Sequence, residues 1–177
     1  GIRPSVCSLR GSVARRDAHS SILDFIKKIC SIVFMHSFGG KIISFEEFDR
    51  LRAALGVVVA TSGGYDPIHP GHISCLQEAK KLGDTLVVIV NGDGFLRGKK
   101  GKPFQDLATR VSIVSAIRDV DYVIPFEIEN DSTVSEALKK IQPNIFAKGG
   151  DRIDEHTIPE WGICQDFNIK VVSGVGL

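Results

Sequence analysis

The chain is organised around the stretch Thr61-Ser62-Gly63-Gly64-Tyr65-Asp66-Pro67-Ile68-His69-Pro70-Gly71-His72, which we call the motif. The β-branched run before it, Val57-Val58-Val59-Ala60, is typical of a short buried strand. After it, apolar residues recur at helical spacing from Ile73 to Leu82, which predicts a helix. The motif is therefore predicted to be a turn that leads from a strand into a helix.

Two features of this turn indicate a site for phosphate. Gly63 and Gly64 lack a Cβ atom, so the backbone can turn sharply and a ligand can come close. His69 and His72 are three residues apart at the start of the predicted helix, so they share one face. A helix N-terminus offers free N–H groups and the positive end of the helix dipole, and imidazoles beside it can donate hydrogen bonds to phosphoryl oxygens. The plainer alternative is that the two histidines only cap a helix.

Strands and helices alternate along the chain from Gly56 onward. Buried or β-branched runs predict strands at 57–60, 85–90, 122–124, 144–147 and 169–172, and helical spacing predicts helices at 73–82, 107–117, 132–141 and 158–167. This order predicts an α/β fold, a doubly wound parallel five-stranded sheet. Ligands of such sheets bind beyond the carboxyl ends of the strands. The motif, a loop at Asn91–Gly94 and the segment Lys148–Arg152 all follow predicted strands.

Composition narrows the class of protein. The 177 residues carry a net charge of +1, which argues against a nucleic-acid footprint spread over the chain. The apolar stretch 21–38 is interrupted by Lys27 and Lys28, so it is too short and too charged to predict a membrane span. The four cysteines form neither a CxxC pair nor a zinc pattern, which favours a reducing, cytoplasmic location. Residues 1–40 are predicted to be a flexible or peripheral extension, and residues 41–177 the folded domain.

Further polar residues at the predicted strand ends are candidates for ligand binding. The basic stretch Lys99–Pro103 can neutralise phosphate charge, or it is a solvated surface loop. Lys148 can reach a phosphate, and the glycines after it allow close approach of a base or ribose; a surface lysine is the alternative. Asp66 and Asp93 either bind an acceptor hydroxyl, orient a basic side chain or cap a turn.

Arg110 lies early in a predicted helix, where it either projects toward phosphates or forms a surface ion pair. Two nucleotide-binding patterns are absent from the sequence. The glycines and lysines near Gly94–Lys99 do not have Walker A spacing, and no GxGxxG occurs. A dinucleotide-binding redox domain is therefore disfavoured.

The pattern Gly-Tyr-Asp-Pro-x-His-x-Gly-His resembles the signature of the nucleotidylyltransferase superfamily, whose members carry an HxGH motif. The resemblance extends from about Val57 to Arg152 and rests on Leu82-Gly83-Asp84, Asn91-x-Asp93, Lys99-x-x-x-Pro103, Arg110, Val120–Val123 and Lys148-Gly149-Gly150-Asp151. These segments look like the adenylyltransferase domain that makes ADP-heptose from heptose 1-phosphate. They are also similar to glycerol-3-phosphate cytidylyltransferase.

The resemblance implies a Rossmann-like nucleotidylyltransferase fold and the transfer of AMP, or less readily CMP, from a nucleoside triphosphate to a phosphorylated small molecule. It implies ATP or CTP as co-substrate with Mg²⁺ and a possible homodimer. The residues themselves show no ligand pattern, so no metal site of the protein's own is expected. The catalytic residues would be His69, His72, Lys99 and Lys148. The nucleotide would bind to Thr61, Ser62, Gly63, Gly64, Tyr65, Asp66, Gly71, Gly149 and Asp151. The acceptor would bind to Asn91, Asp93 and Arg110.

The sequence departs from the family pattern at two places. Gly64 stands where the cytidylyltransferases tend to have Thr. The family's second signature, a Ser/Thr-rich helix start, is not present, and the chain stops at Val172–Leu177, about where it would begin; this predicts a domain truncated at its C-terminus. The same motif is shared by FAD synthetases and pantetheine-phosphate adenylyltransferases, and a non-catalytic nucleotide-binding module remains the alternative from another class.

Overall fold

The computed structural model describes residues 40–127, 133–150 and 156–176 of the chain. In these residues a single sheet forms at the centre of the domain, and its strands are β1 (Val58–Gly63), β2 (Thr85–Asn91), β3 (Tyr122–Phe126), β4 (Ile145–Gly149) and β5 (Lys170–Val175). The strands lie in the order β3-β2-β1-β4-β5, and every neighbouring pair is parallel. The predicted five-stranded parallel sheet is confirmed.

Helices cover the two faces of the sheet. They are α1 (Phe45–Leu51, continued by a 3₁₀ turn at Arg52–Ala54), α2 (Pro70–Lys80), α3 (Asp93–Lys100), α4 (Leu107–Ser115), α5 (Ser135–Ile141) and α6 (Trp161–Asp166). Apolar residues of α1, α5 and α6 form one core with one face of the sheet, and apolar residues of α2 and α4 form a second core with the other face. The sheet is therefore doubly wound, as the order of elements predicts.

The uninterrupted apolar run Leu86–Val90 in β2 follows from the central position of this strand in the sheet. All of its residues are buried, and those from Leu86 to Val90 alternate between the two cores. Val87 and Ile89 belong to the core of α1, α5 and α6, while Leu86, Val88 and Val90 belong to the core of α2 and α4. A central parallel strand covered on both faces has no polar side, so its inner positions from Leu86 to Val90 are all apolar.

The segment before α1 covers the β3 edge of the sheet. Backbone hydrogen bonds join Ile43 N to Val123 O and Val123 N to Lys41 O, each at 3.0 Å or less. Ser44 then caps α1 with a capping box, since its hydroxyl accepts from Glu47 N and the Glu47 side chain accepts from Ser44 N. In the described part of the chain, no helix has the length and apolar character that crossing a membrane requires.

Several predicted boundaries are wrong. The supposed loop Asn91–Gly94 is the last residue of β2 followed by the first turn of α3. Pro125 does not end the third strand, which continues to Phe126; because β3 lies at the end of the sheet, a residue without an N–H group is tolerated there. The predicted helix start at Ser132 lies outside the described residues. Residues 1–39 of the predicted extension also lie outside them.

The order of the strands opens a crevice between β1 and β4. The chain runs outward from β1 through β2 to β3 and then returns to the other side of β1, so the switch point of the sheet lies between these two strands. The pairing of β1 with β4 covers only two residue pairs, Val59 with Ile145 and Ala60 with Phe146. Beyond these pairs, Ser62 and Lys148 stand on opposite sides of the crevice.

Candidate active site

A cavity of about 960 Å³ opens at the carboxyl ends of β1, β2, β4 and β5. Its wall is built from the motif, the first turns of α2, one side of α3, and short segments at 133–134, 148–150, 159–160 and 175–176. The predicted site residues that line the cavity are Thr61, Ser62, Gly63, Gly64, Tyr65, His69, Gly71, His72, Asn91, Lys99, Lys148 and Gly149. Asp66, Asp93 and Arg110 are not among the lining residues, and Asp151 lies outside the described residues.

The two histidines of the motif form a stacked pair at the start of α2. His69 is the N-cap of the helix, and Pro70 follows in the first turn, where a missing N–H group costs nothing. The ring centroids of His69 and His72 are 3.8 Å apart, and the ring planes differ by 28°. The two imidazoles therefore lie side by side at the positive end of the helix dipole, as the spacing of the motif predicts.

His72 is the more buried of the two rings. The Tyr65 ring lies 5.0 Å from it, centroid to centroid, and the buried His72 Nδ1 has no hydrogen-bond partner among the described residues. Burial, together with the neighbouring His69, lowers the pKa of His72 to about 4. The imidazole is therefore neutral at pH 7, and a neutral ring has one N–H to donate and one nitrogen lone pair.

The glycines at the end of β1 are required for a reason other than the predicted turn. The residue with a positive φ is Tyr65, at 50°, and not Gly63 or Gly64. A Cβ atom on Gly63 would lie 3.0 Å from the Tyr65 ring, and one on Gly64 would lie 2.7 Å from Leu96 Cδ2. The glycines therefore make room for a buried tyrosine and for α3, and the backbone of the motif stays open to the cavity.

Asp66 anchors a loop instead of facing the cavity. Its carboxylate accepts hydrogen bonds from the backbone N–H groups of Phe104, at 2.8 Å, and Gln105, at 2.7 Å. Lys100 Nζ lies 2.8 Å from Asp66 Oδ2. Burial raises the pKa of Asp66, but the bonds from Lys100 and the two backbone groups outweigh it and hold the pKa at about 2. The geometry therefore favours the alternative that Asp66 orients a basic side chain and a turn.

Arg110 is also directed into the protein. Its side chain is fully buried in α4, and its guanidinium donates to the carbonyl oxygens of Gln105, Gly64 and Asn91 at 3.1 Å or less. It also pairs with Asp93 Oδ1 at 2.6 Å. These bonds join the ends of β1 and β2 to the start of α3. Arg110 and Asp93 therefore position the wall of the cavity. Neither lines the cavity, so their predicted contact with an acceptor stays a prediction.

Lys148 lies at the base of the crevice between β1 and β4. Its Nζ is 3.3 Å from Ser62 Oγ, 3.2 Å from Glu160 Oε2 and 4.7 Å from the centroid of the Phe146 ring. The side chains of Lys148 and Glu160 are 8% and 5% exposed, and what remains exposed faces the cavity. A buried ammonium requires such a counter-charge, because burial alone disfavours the charged form.

Lys99 is the contrasting cation. It lies at the end of α3, is exposed, and approaches the Phe95 ring with its Nζ 5.9 Å from the centroid. Among the described residues, no carboxylate oxygen lies within 4.0 Å of its Nζ. The neighbouring Lys100 is bound to Asp66, so of these two lysines Lys99 is the one that faces the cavity.

Sequence reasoning missed several residues of the cavity wall, of which Glu160 is the most informative. Glu160 follows Pro159 in the turn before α6, and the sequence places no motif there. Phe95, Thr133, Cys75 and Gly176 were missed for the same reason. A glutamate beside a proline shortly after a strand end carries no signal of its own, because its partner Lys148 is twelve residues earlier and the pairing depends on the fold.

Comparisons with known proteins agree with this geometry. Residues 60–171 match the model of the cytidylyltransferase-like family. Two relatives are described as bifunctional protein HldE. The protein from Nitrosococcus oceani is 41% identical over 100 residues, and the match covers 55% of this chain and 20% of that protein. The protein from Streptomyces coelicolor is 38% identical over 125 residues, and the match covers 70% of this chain and 26% of that protein. The chain thus spans about a fifth to a quarter of these relatives.

A solved structure has a similar fold. The lipopolysaccharide core biosynthesis protein from Thermoplasma volcanium GSS1 superposes with a TM-score of 0.58 and is 30% identical, and the match covers 69% of this chain and 98% of that one. The resemblance drawn from the motif is confirmed at the level of the family. With more than half of its residues matched by the family model, the chain belongs to the cytidylyltransferase-like family.

Proposed function

We propose that this chain is a nucleotidylyltransferase that moves a nucleoside monophosphate, AMP more readily than CMP, from a nucleoside triphosphate to a phosphorylated acceptor such as a sugar 1-phosphate. The observation that carries the proposal is the stacked pair His69–His72, which lies at the N-terminus of α2 and opens onto a cavity at the switch point of the sheet. Helix N-termini at this position bind phosphate in parallel α/β folds.

In the proposed reaction an oxygen of the acceptor phosphate attacks the α-phosphorus in line. A new P–O bond forms, the bond from the α-phosphorus to the bridging oxygen breaks, and pyrophosphate leaves with that electron pair. The acceptor phosphate is already anionic, so no side chain has to act as nucleophile. Catalysis is then positioning and stabilisation of charge.

The side chains have separate parts in this proposal. His69 and the neutral His72 donate hydrogen bonds to the oxygens of the transferring phosphoryl group. Lys99, which is exposed at the cavity and free of carboxylate partners among the described residues, neutralises charge on the outer phosphates. Gly63, Gly64 and Asn91 line the cavity. In this proposal the two glycines contact the nucleotide and Asn91 contacts the acceptor.

A divalent cation accompanies triphosphates in such reactions, and we propose Mg²⁺. In residues 40–127, 133–150 and 156–176, no group of three or more His, Cys, Asp or Glu side chains is placed to hold a metal ion. This arrangement fits a cation that enters on the phosphates of the nucleotide, because Mg²⁺ is commonly bound through substrate oxygens with few protein ligands. When bound, the cation offsets the charge of the leaving pyrophosphate.

The relatives support a sugar phosphate as acceptor and ATP as donor. The chain is 38–41% identical to the HldE proteins over the matched segments, and the solved neighbour is described as a protein of lipopolysaccharide core biosynthesis. The segments that resemble the heptose 1-phosphate adenylyltransferase domain point to the same chemistry. A cytidylyltransferase that uses glycerol 3-phosphate, an FAD synthetase, a pantetheine-phosphate adenylyltransferase and a non-catalytic nucleotide-binding module are the alternatives that the experiment below separates.

The experiment measures pyrophosphate release with Mg²⁺ for ATP and CTP, each crossed with heptose 1-phosphate, other sugar 1-phosphates, glycerol 3-phosphate, phosphopantetheine and FMN. We expect release with ATP and a sugar 1-phosphate. Release only with CTP and glycerol 3-phosphate would replace the proposed donor and acceptor. Binding of ATP without release for any acceptor would favour the non-catalytic alternative.

A further inference from the structure

The buried ion pair Lys148–Glu160 on the cavity wall is not explained by phosphate binding. A phosphate is attracted by uncompensated positive charge, but Lys148 Nζ already lies 3.2 Å from Glu160 Oε2. The two charges cancel at short range, so the pair as a whole attracts an anion weakly. Lys99 and the N-terminus of α2 supply the positive potential of this cavity without such compensation.

The hydrogen-bonding capacity of the pair suits an uncharged ligand group. Glu160 Oε2 is buried, and within the described residues its 3.2 Å contact with Lys148 Nζ is an ion pair without hydrogen-bond geometry. Glu160 Oε1 accepts a long bond of 3.4 Å from Val134 N. A carboxylate oxygen in this state gains from an O–H donor, and an ammonium beside it gains from an oxygen lone pair. Two neighbouring hydroxyl groups offer both, since one donates to the carboxylate while the other accepts from Nζ.

We infer that Lys148 and Glu160 together bind the vicinal hydroxyl groups of a sugar. The inference rests on the proposed function only in taking the cavity as the site of a nucleotide and a phosphorylated sugar. It changes the expected role of Lys148 from a phosphate contact to a specificity-determining residue. Vicinal hydroxyls are present both in the ribose of the nucleotide and in a sugar acceptor, and the two sources are separated by the choice of ligand.

The first test uses the unaltered protein and deletes hydroxyl groups from the ligand. Calorimetry compares ATP with 2′-deoxy-ATP and 3′-deoxy-ATP, and glucose 1-phosphate and mannose 1-phosphate with their 2-, 3- and 4-deoxy analogues. We expect removal of a hydroxyl to weaken binding about tenfold or more in one of the two series, which is the size expected of a hydrogen bond to a charged group. The series that responds identifies the source of the hydroxyls.

The second test repeats both series with Glu160→Gln, which keeps the size of the side chain and removes its charge. We expect the discrimination against deoxy ligands to fall to within about threefold, while the affinity for inorganic tripolyphosphate is not reduced, because Lys148 loses its counter-charge. Glu78→Gln is the matched control, since Glu78 is an exposed carboxylate that pairs with Lys81 on α2. Circular dichroism establishes that each variant is folded.

Equal binding of parent and deoxy ligands by the unaltered protein in both series would overturn the inference, as would undiminished discrimination in Glu160→Gln. Because these measurements need no turnover, the two proposals fail separately. Pyrophosphate release without hydroxyl discrimination rejects the role of the ion pair and retains the proposed function. Hydroxyl discrimination without release under any combination of substrates retains the ion pair as a sugar site and rejects the enzyme.

Discussion

His72 illustrates how the environment of one residue selects its chemistry. An exposed histidine is partly protonated near neutral pH, but burial beside Tyr65 and His69 lowers the pKa of His72 to about 4. At pH 7 the ring is therefore a neutral hydrogen-bond donor. A neutral donor that points at developing phosphoryl charge stabilises the transition state without the cost of burying a cation.

Replacing this ring is the most direct test of the site. We predict that His72→Ala lowers the turnover of pyrophosphate release by about 10²–10³-fold, the effect of losing one preorganised donor to a developing charge. His156→Ala is the matched control, because His156 is exposed and does not line the cavity. Equal turnover in the two variants would contradict the assignment of His72.

The lowered pKa of His72 also predicts how stability depends on pH. Between pH 6.5 and about 4 the unfolded chain binds a proton at this histidine that the folded protein does not, so the free energy of unfolding falls as the pH falls through this window. We predict that urea unfolding shows a larger loss of stability between pH 7 and pH 5 in the wild type than in His72→Gln. An identical loss would show that the folded-state pKa of His72 is ordinary. Asp66, with a pKa of about 2, titrates below this window.

At the scale of elements, the cavity wall is held together by one buried arginine. Arg110 in α4 bonds to the end of β1 through Gly64, to the end of β2 through Asn91, and to the first residue of α3, Asp93. A guanidinium is suited to this place because it presents several donors in one rigid plane, whereas an ammonium is a compact point charge. The position of α3, and with it of Lys99, depends on these bonds.

We therefore predict that Arg110→Lys lowers the free energy of unfolding by about 2–4 kcal/mol, since a buried charge is kept while several of its hydrogen bonds are lost. Urea unfolding monitored by circular dichroism measures this loss. Arg118→Lys is the control: Arg118 is 87% exposed and pairs with the adjacent Asp119, so a change within about 0.5 kcal/mol is expected. A similar small change for Arg110→Lys would mean that the fold does not depend on this cluster.

At the scale of the whole molecule, the sheet places the motif, the end of β4 and the start of α3 around one cavity. A ligand that contacts all three stabilises the folded chain as a unit, because it binds the native state and not the unfolded one. We predict that Mg²⁺ and ATP at about 100 times the dissociation constant add about 2.7 kcal/mol of stability and raise Tm by roughly 5–10 °C. A larger shift with CTP would identify cytidine as the base, and no shift with either nucleotide would contradict the proposed site.

Much of this organisation was readable from the sequence because it depends on neighbours along the chain. The alternation of buried runs and helical spacing predicted the parallel sheet, and the motif predicted the histidine pair at the start of α2. The boundaries were less accurate. The β2–α3 junction was interpreted as a loop, because glycine and asparagine are turn residues in most contexts, and Pro125 was interpreted as a strand end, because its place at the end of the sheet is not visible in one dimension.

The sequence by itself determined the class of fold, the position of the motif and the family, since hydrophobic periodicity and a long contiguous pattern are properties of short segments. The tertiary structure alone decided which polar residues face the cavity and which hold its wall. Asp66 lies within the motif and Arg110 bonds to it through Gly64, yet both side chains are directed inward. Glu160 belongs to no motif and yet lies against Lys148. A side chain's role depends on the charges and donors within a few ångströms of it, and these neighbours are brought together only when the sheet closes.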